Sequence, residues 1–408
     1  MTKSTCIIIG ASHAGSQLAF SLRKEGWEGR ILLLGAESTL PYHRPPLSKE
    51  LLQGEKAPED ILIRPAAMYE KNQIEVRLNT WVKAIDRQRK IVQLQDGSEL
   101  TYEKLALATG GQLRRLPIPG AEHPRVCYLR TLEDALALQQ KLPQAQRAVI
   151  IGGGYIGLET AASFRKAGLE VTILEATGRL LERVCCPDIS QFFDRIHQEE
   201  GVKIETGKMA TAIHHTGESS TVVTKDGATY EADLIVIGIG ILPETQLAEA
   251  AGLKVDRAIV VDQYGATSDP DIVAAGDCTV FPHPLYAQPI HLESVPNATD
   301  QAKSAAAWLC GQEKPYQAIP WFWSEQFDLK LQIAGLIAGY DSVVLRGDPL
   351  TSRSFAAFYF KGAKLLAADC VNRPKEFMVT RKLLEKGTSV TSEELADETT
   401  DLRALMKR

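Results

Sequence analysis

The chain has 408 residues, with 46 basic and 51 acidic side chains and a formal net charge of −5 at pH 7. This length exceeds what one compact core normally holds, so we expect two or three domains. The mild acidity, without a Lys/Arg block, argues against nucleic acid as a partner. No apolar run approaches the roughly 18 residues that a membrane-spanning helix needs, so we expect a cytoplasmic protein without membrane insertion.

The chain opens with a strand, a glycine-rich turn and a helix. The turn is Gly10-Ala-Ser-His-Ala-Gly15, and the predicted elements around it are a strand over 5–9, a helix over 15–25 and a strand over 30–34. A glycine turn in this context is typical of a dinucleotide pyrophosphate site. Ser12 replaces the middle glycine, although its hydroxyl can cap the helix and bond to phosphate. The acid Glu37 after the second strand favours a nucleotide over a packing turn.

A proline-rich segment and a hairpin follow. The three prolines of Pro41-Tyr-His-Arg-Pro-Pro-Leu-Ser-Lys49 predict a rigid loop that leads into a helix beginning near Ser48. Alternation around Asp96-Gly97 predicts a hairpin, which precedes a buried strand over 104–111. Thr109-Gly110 at the end of this strand suits either a close backbone approach to a ligand or an ordinary turn.

The same scheme returns from residue 148, with a complete glycine turn, Gly152-Gly-Gly-Tyr-Ile-Gly157. The predicted elements are a strand over 148–151, a helix over 156–167 and a strand over 170–174 that ends at Glu175. Glu175 follows the turn at about the spacing of a ribose-binding acid. Because a carboxylate accepts from a 2′-hydroxyl but repels a 2′-phosphate, we favour NAD(H) over NADP(H). Arg179 and Arg183 leave NADP(H) open, since either could reach a phosphate.

A second hairpin around Asp226-Gly227 and a closing strand over 234–240 complete the repeat, which indicates a duplicated fold. A further strand ends at Gly276-Asp277, where the carboxylate could bond to a polyol such as the ribityl chain of a flavin or could cap a helix. From Trp321 onward the pattern is strand-rich and ends in a helical tail from Lys375. We predict an α/β fold with two Rossmann-like dinucleotide-binding domains and a C-terminal α+β domain. The predicted boundaries are 1–111 with 241–319, then 112–240, then 320–408.

The seven cysteines are scattered, and none forms a C-x-x-C pair. This excludes a zinc ribbon and the nearest-neighbour redox disulfide of many flavin reductases. We expect reduced, structural thiols and no metal site.

The order of these motifs resembles a known family. The motifs are G-x-S-x-A-G, an acid, the proline loop, Ala108-Thr-Gly110, the complete second turn with Glu159 and Glu175, Ala275-Gly-Asp277 and Trp321-Phe-Trp-Ser-Glu325. The chain resembles the FAD-dependent, NADH-using ferredoxin and rubredoxin reductases of oxygenase systems, of the putidaredoxin reductase and biphenyl dioxygenase ferredoxin reductase type. These flavoproteins have a glutathione-reductase-like fold and often serve aromatic hydrocarbon catabolism.

The resemblance implies which residues bind each cofactor. The FAD set is Gly10, Ser12, His13, Ala14, Gly15, Glu37, Arg44, Lys49, Thr109, Gly110, Arg130, Asp277 and Trp321. The NAD(H) set is Gly152, Gly154, Tyr155, Ile156, Gly157, Glu159, Glu175, Arg183, Gly238 and Gly240. Lys49 and Glu159 resemble a catalytic pair beside the reacting edge of the flavin. Residue type alone fits another interpretation equally well, in which Lys49 is a surface lysine and Glu159 is a solvated helix residue. Trp321 and Trp323 either close the flavin pocket or are core aromatics.

The implied reaction moves a hydride from NADH to FAD and single electrons from FAD to a carrier. Without a C-x-x-C pair, the electrons leave directly for a small iron–sulfur ferredoxin or a rubredoxin. A basic docking patch for that acidic carrier is one interpretation of six side chains, and a solvated face is the other: Arg114, Arg115, Arg373, Lys375, Arg381 and Lys382. The sequence leaves open whether the protein is a monomer or a homodimer.

Two alternative functions share this fold. A flavin NADH oxidase or peroxidase usually carries a lone redox cysteine around position 45 to 55, and this chain has none there. A protein like apoptosis-inducing factor, whose NADH-dependent state governs partner binding, shares the Lys/Glu pair. Such a protein normally carries extra targeting and basic segments.

Overall fold

The computed structural model describes residues 4–286 and 288–408. The strands are β1 Thr5–Ile9, β2 Arg30–Leu34, β3 Ile74–Arg77, β4 Val82–Asp86, β5 Ile91–Leu94, β6 Glu99–Thr101, β7 Lys104–Leu107, β8 Gly111–Leu113, β9 Val126–Cys127, β10 Arg147–Ile151, β11 Glu170–Glu175, β12 Val202–Thr206, β13 Ala210–Thr216, β14 Ser219–Thr224, β15 Thr229–Ala232, β16 Leu234–Ile237, β17 Ile241–Pro243, β18 Val255–Asp256, β19 Ala258–Val260, β20 Ile272–Ala274, β21 Thr279–Val280, β22 Trp321–Gln326, β23 Leu329–Gly335, β24 Ser342–Arg346, β25 Phe355–Lys361 and β26 Lys364–Val371. The α-helices are α1 His13–Lys24, α2 Ala66–Lys71, α3 Leu132–Lys141, α4 Tyr155–Lys166, α5 Pro187–Glu199, α6 Gln246–Ala250, α7 Val295–Leu309, α8 Pro374–Lys386, α9 Ser392–Ala396 and α10 Leu402–Leu405.

The chain forms two compact units. The first unit comprises Met1–His43, Glu59–Gln112 and Ile241–Pro320, and the second comprises Arg44–Pro58, Leu113–Gly240 and Trp321–Arg408. The C-terminal segment therefore belongs to the same unit as the second glycine turn. The division into three domains at 111, 240 and 319 stays a prediction.

A five-stranded parallel sheet forms the centre of the first unit, in the order β20-β7-β1-β2-β3. Residues along β1 such as Ile7 and Ile8 are fully buried, as expected for a parallel strand covered on both faces. Helices α1 and α7 pack together beside the sheet. The glycine turn follows β1 and leads into α1, so it lies at the carboxyl edge of the sheet, where ligands of such folds bind.

The second unit repeats this arrangement. Its parallel sheet has the order β12-β11-β10-β16-β9, with β10 entering the second glycine turn and α4 leaving it. The α/β fold class with two Rossmann-like folds is therefore confirmed. The predicted hairpins around Asp96-Gly97 and Asp226-Gly227 are also present, as β5–β6 and β14–β15.

The C-terminal segment forms an antiparallel sheet, β22-β23-β26-β25-β24, followed by α8. It shares one hydrophobic core with the Rossmann-like fold of the second unit. The Phe355 ring of β25 lies 4.9 Å from the Phe192 ring of α5, and Tyr359 and Leu331 belong to the same buried cluster as Ile150. The two parts therefore stabilise each other through a common apolar interior.

The proline loop differs from its prediction, because no α-helix begins near Ser48. Pro45–Ser48 is instead a short 3-10 helix. The two prolines fix φ for its first turn, and the Lys49 N–H bonds to the Pro46 carbonyl at 3.0 Å in the tight i to i+3 pattern. Lys49 then leaves helical geometry, with φ −128° and ψ −114°. Helices α1 and α4 also begin two residues and one residue earlier than predicted, at His13 and Tyr155.

No helix in residues 4–286 and 288–408 combines the length and apolar character needed to cross a membrane.

The shared core of the second unit predicts the effect of truncating Phe355. Phe355→Ala removes a fully buried ring from that core, so we expect a loss of about 3–5 kcal/mol in the free energy of unfolding. Urea denaturation of the FAD-loaded protein measures it. Leu350→Ala, at a side chain that is 69% exposed, is the control and should stay within about 0.5 kcal/mol. Equal stability of the two variants would contradict the shared core.

Candidate functional site

Of the three glycines that form the G-x-G-x-x-G pattern of the second turn, the protein itself crowds the first and the last and leaves the middle one open. A Cβ on Gly152, which has φ +114°, would lie 2.5 Å from the Gly238 carbonyl oxygen. A Cβ on Gly157 would lie 2.1 Å from the Gly152 oxygen. A Cβ on Gly154 would meet nothing within 4 Å. The bare backbone of Gly154 therefore faces open space at the N-terminus of α4, where a pyrophosphate would approach.

The carboxylate of Glu175 lies against this turn. Its Oε2 accepts from the Gly153 N–H at 2.7 Å, and its Oε1 accepts from the backbone N–H and hydroxyl of Thr177 at 2.7 and 2.8 Å. Oε2 has two lone pairs and uses one for the Gly153 N–H, so it retains acceptor capacity for a ribose hydroxyl. Arg179 donates to the carbonyls of Glu182 and Cys185 and to the Ser190 hydroxyl. It is therefore engaged by its own segment.

Further predicted NAD(H) residues lie close to the turn. Arg183 Nη2 is 4.0 Å from the position of a Cβ on Gly240. Tyr155 begins α4, with its ring 4.9 Å from the Phe322 ring, and Ile156 is 45% exposed. The structure thus groups Arg183 with Gly240, and Gly238 with Gly152.

The first glycine turn has the same geometry. A Cβ on Gly10 would lie 2.1 Å from the Ala108 oxygen, and a Cβ on Gly15 would lie 1.8 Å from the Gly10 oxygen. Ser12 occupies the N-cap position of α1 with extended backbone, the place that Gly154 takes in α4, but its side chain makes no capping hydrogen bond. The degenerate turn therefore keeps the cradle of the complete one.

Three other predicted flavin residues of the first unit hydrogen-bond to residues near them in the fold. They are Thr109, Gly110 and Glu37. The Thr109 hydroxyl donates to the Glu244 carbonyl at 2.7 Å, and the Gly110 carbonyl accepts from the Glu244 N–H at 2.9 Å. Gly110 has φ +68°, so this turn suits glycine. The Tyr42 hydroxyl donates to Glu37 Oε2 at 2.5 Å.

The Gly276-Asp277 turn lies against the start of α1. A Cβ on Gly276 would be 3.2 Å from the Ala14 Cβ, and Asp277 follows β20 in a turn, so it does not cap an α-helix. The Gly276 N–H donates to Gln301 Oε1 of α7 at 2.8 Å. Sequence reasoning missed Gln301, whose buried Nε2 has no hydrogen-bond partner among the described residues. The first unit therefore presents a backbone cradle and polar atoms that fit a dinucleotide.

Lys49 and Glu159 form a buried ion pair in the second unit. Lys49 Nζ lies 2.9 Å from Glu159 Oε2, and the residues are 8% and 3% exposed. The surface alternatives for both residues are therefore wrong. The Ser48 hydroxyl donates to Oε2 at 2.6 Å, and the Ser324 hydroxyl donates to Oε1 at 2.7 Å. These donors offset the cost of burying a carboxylate.

Sequence reasoning also missed Ser48 and Ser324. Their only signal was position, since Ser48 precedes Lys49 and Ser324 lies in the Trp321-Phe-Trp-Ser-Glu325 motif. Hydrogen bonding of a buried side chain depends on which distant elements meet, and one sequence does not reveal that.

The remaining predicted flavin residues of the second unit lie in two places. Arg44 Nη1 donates to the Arg130 carbonyl at 2.5 Å. The Trp321 and Trp323 rings stack with centroids 5.5 Å apart, and the Arg381 guanidinium lies 5.2 Å from the Trp321 centroid. Both tryptophans are half-buried, so neither belongs to the core.

Three of the six side chains of the predicted basic patch have acidic neighbours, and a docking role for the patch stays a prediction. Lys382 pairs with Glu385 at 2.8 Å, Lys375 lies 3.7 Å from Asp401, and Arg373 pairs with Glu376 and Glu398. These carboxylates reduce the positive charge around the three cations, which favours the solvated-face interpretation for them. Among residues 4–286 and 288–408, no group of three or more His, Cys, Asp or Glu side chains is placed to hold a metal ion.

Two glycine-turn nucleotide folds and a buried lysine–glutamate pair define an oxidoreductase that uses two dinucleotides. A family model described as "Pyridine nucleotide-disulphide oxidoreductase" matches residues 4–302, and one described as "Reductase C-terminal" matches residues 321–406. The chain belongs to the pyridine nucleotide-disulphide oxidoreductase family, whose members bind FAD and NAD(H).

Individual relatives are similar over nearly the whole chain. Putidaredoxin reductase CamA of Pseudomonas putida is 42% identical over 98% of this chain and 96% of its own. The ferredoxin reductase for the CYP199A2 system of Rhodopseudomonas palustris is 44% identical, with a TM-score of 0.95 and coverage of 98% and 99%. Putidaredoxin reductase in its covalent complex with putidaredoxin has a TM-score of 0.96 at 41% identity, with coverage of 100% and 99%.

The unequal space around the glycines predicts two different defects. Gly154→Ala fills the open backbone surface without touching protein, so we expect unchanged thermal stability and a Kd for NADH raised about tenfold. Gly157→Ala pushes a Cβ into the Gly152 carbonyl, so we expect a lower thermal midpoint as well. Differential scanning fluorimetry and NADH titration measure both quantities. A destabilised Gly154→Ala protein would contradict the open-space argument.

Proposed function

We propose that this protein is an NADH-dependent ferredoxin reductase that contains FAD and supplies electrons to an oxygenase. NADH delivers a hydride, and single electrons leave for a small iron–sulfur ferredoxin. The proposal is supported by family membership and by relatives named for ferredoxin-type carriers. The observation that carries it is that one unit holds both an intact nucleotide turn with its acid, Glu175, and a buried charge pair, Lys49–Glu159.

FAD supplies the conversion between two-electron and one-electron transfer. The residues of this chain bind and orient the reactants. Gly154 and the N-terminus of α4 receive the pyrophosphate of NADH, and Glu175 accepts hydrogen bonds from its ribose. Lys49, held by Glu159, presents a fixed positive charge toward the reacting groups. Because that charge is buried, its field is stronger than that of a surface lysine.

The cofactor sets predicted from the sequence are part of this proposal. For FAD, the support is the Gly10–Gly15 cradle, the Gly276-Asp277 turn that contacts Ala14, and the bond from Arg44 to the Arg130 carbonyl. For NAD(H), it is the Gly152–Gly157 turn with Glu175, and Arg183 beside Gly240.

Four finer statements belong to the proposal. A rubredoxin is an alternative carrier, and the oxygenase acts in aromatic hydrocarbon catabolism, as the motif resemblance implies. Cytoplasmic location is supported by the seven cysteines, all of which are free thiols, as a reducing compartment keeps them. Monomer and homodimer remain alternatives.

The competing oxidase or peroxidase function has little support. Segment 41–58 contains no cysteine, so the redox thiol of such enzymes has no equivalent there. The buried Lys49–Glu159 pair does not discriminate against a function like that of apoptosis-inducing factor. Only turnover with a carrier separates that function from a reductase.

The proposed activity predicts carrier-dependent turnover. The FAD-loaded protein with NADH, an iron–sulfur ferredoxin and cytochrome c should reduce the cytochrome much faster than without ferredoxin. Absorbance at 550 nm follows the reaction, and omission of the ferredoxin is the control. Oxygen consumption that exceeds electron transfer with every ferredoxin and rubredoxin tried would favour the oxidase function.

The position of Glu175 predicts coenzyme preference. In the double variant Glu175→Ala, Ala176→Arg, repulsion of the 2′-phosphate is removed and a charged partner is added. We expect the ratio of kcat/KM for NADPH to that for NADH to rise about tenfold to 100-fold. Steady-state kinetics with both coenzymes measure it, and Glu170→Ala on the exposed start of β11 is the matched control. An unchanged ratio would contradict the ribose assignment.

A further inference from the structure

Behind the Lys49–Glu159 pair, a continuous chain of buried polar side chains runs through the second unit. The Ser324 hydroxyl donates to Glu159 Oε1 at 2.7 Å. Gln326 Nε2 donates to the Ser324 oxygen at 3.1 Å, and Gln326 Oε1 lies 2.8 Å from His197 Nε2. His197, Gln326 and Ser324 are each at most 2% exposed. Three buried polar side chains therefore end at one carboxylate.

The acceptors impose a single direction on this chain. An ionised carboxylate only accepts hydrogen bonds, so the Ser324 hydroxyl must donate its one proton to Glu159. Its oxygen then accepts from the Gln326 amide nitrogen, which turns the amide oxygen toward His197. His197 must therefore carry its proton on Nε2. Burial lowers the pKa of His197 to about 4, so the ring is neutral at physiological pH and its single N–H donates to Gln326.

The strand period explains how β22 delivers these groups. Alternate residues of a strand point to opposite faces, so Phe322, Ser324 and Gln326 share one face. Phe322 packs on Tyr155 at the start of α4, and Ser324 meets Glu159 one turn further along the same helix. The opposite face carries the two tryptophans.

We propose that Ser324 and Gln326 are positioning residues for hydride transfer, because the directed chain from His197 fixes the orientation of the Glu159 carboxylate and, through it, the Lys49 ammonium. This inference rests on the proposed function, in which Lys49 acts on the reacting groups. Its new content is that the C-terminal strand β22 controls the rate of NADH oxidation.

The physical reason lies in the two oxygens of Glu159. Oε2 is held by Lys49 and by Ser48, whereas the remaining donor to Oε1 besides Ser324 is the Glu325 N–H at 3.4 Å. Among the described residues, this long bond is then the one that Oε1 keeps without the Ser324 hydroxyl. The carboxylate then rotates toward better donors, and Lys49 follows it. Because catalysis by a charge depends on its placement, a small displacement lowers the rate.

The test is the reduction of bound FAD by NADH in the holoenzyme, followed by stopped-flow absorbance at 450 nm. For Ser324→Ala we expect the limiting rate per bound flavin to fall about tenfold, with the Kd for NADH within about twofold of the wild-type value. Gln326→Met, which keeps the Ser324 hydroxyl but removes its directing donor, should lower the rate less. Ser324→Thr, which restores a hydroxyl on a strand position, should recover most of the rate.

Thr380→Val is the matched control, because it removes a buried hydroxyl of the same unit that donates to the Glu376 carbonyl. A merely structural role of Ser324 would lower FAD content and thermal stability in both variants and leave the rate per bound flavin unchanged, and that result overturns the proposal. Should Ser324→Ala not fold, an unchanged rate in Gln326→Met would overturn the proposal.

The variant Lys49→Met separates this proposal from the proposed function. If Lys49→Met lowers the limiting rate of FAD reduction and Ser324→Ala leaves it unchanged, the positioning role of Ser324 alone is rejected. If Lys49→Met leaves that rate unchanged, the proposed role of the Lys49–Glu159 pair is rejected.

Discussion

The central constraint on the second unit is the burial of a negative charge at Glu159. A carboxylate that is 3% exposed is stable only where donors and a counter-charge surround it. The proline loop supplies Lys49 and Ser48, and the C-terminal strand supplies Ser324. Two segments far apart in sequence must therefore meet around one helix. Much of the architecture of this unit serves to place the proline loop and the C-terminal strand beside the helix that carries Glu159.

The two glycine turns obey the same backbone rule with different sequences. In both turns the first glycine accommodates a neighbouring carbonyl, and the last lets the helix start touch the first. Only the middle position differs, with Ser12 in one turn and Gly154 in the other. A Cβ on Gly154 would meet nothing within 4 Å, so the protein itself does not require glycine there, and the bare backbone leaves room for a ligand.

Much of the fold could be predicted from sequence because its signals are local. Each glycine turn between an apolar strand and a helix predicts a β-α-β unit, and each Asp-Gly pair between alternating segments predicts a hairpin. The proline loop misled because Pro45 and Pro46 allow a 3-10 turn as readily as an α-helix start. The site was only half predictable. Lys49 and Glu159 stood out through motif resemblance, whereas Ser324 and Gln301 act through contacts between remote elements.

The predicted basic patch shows how strongly local charge depends on neighbours in space. Arg373, Lys375 and Lys382 look like a basic surface when read along the chain, but each has an acidic neighbour in space. Spatial pairing decides whether a cluster of lysines and arginines has an external field, and the partners of Arg373 and Lys375 at Glu398 and Asp401 come from the last residues of the chain. Composition alone therefore exaggerates the positive potential of α8.

The shared interior of the C-terminal sheet and the second Rossmann-like fold has a consequence for building hybrid reductases. Residues 321–408 are contiguous and resemble an exchangeable module, yet Phe355 and Tyr359 pack into the core that contains Phe192 and Phe193. A graft of this segment from a relative that carries different side chains on its α5 would meet a mismatched surface. A hybrid of two related reductases should therefore fold when α5 and the C-terminal sheet are both taken from the same parent.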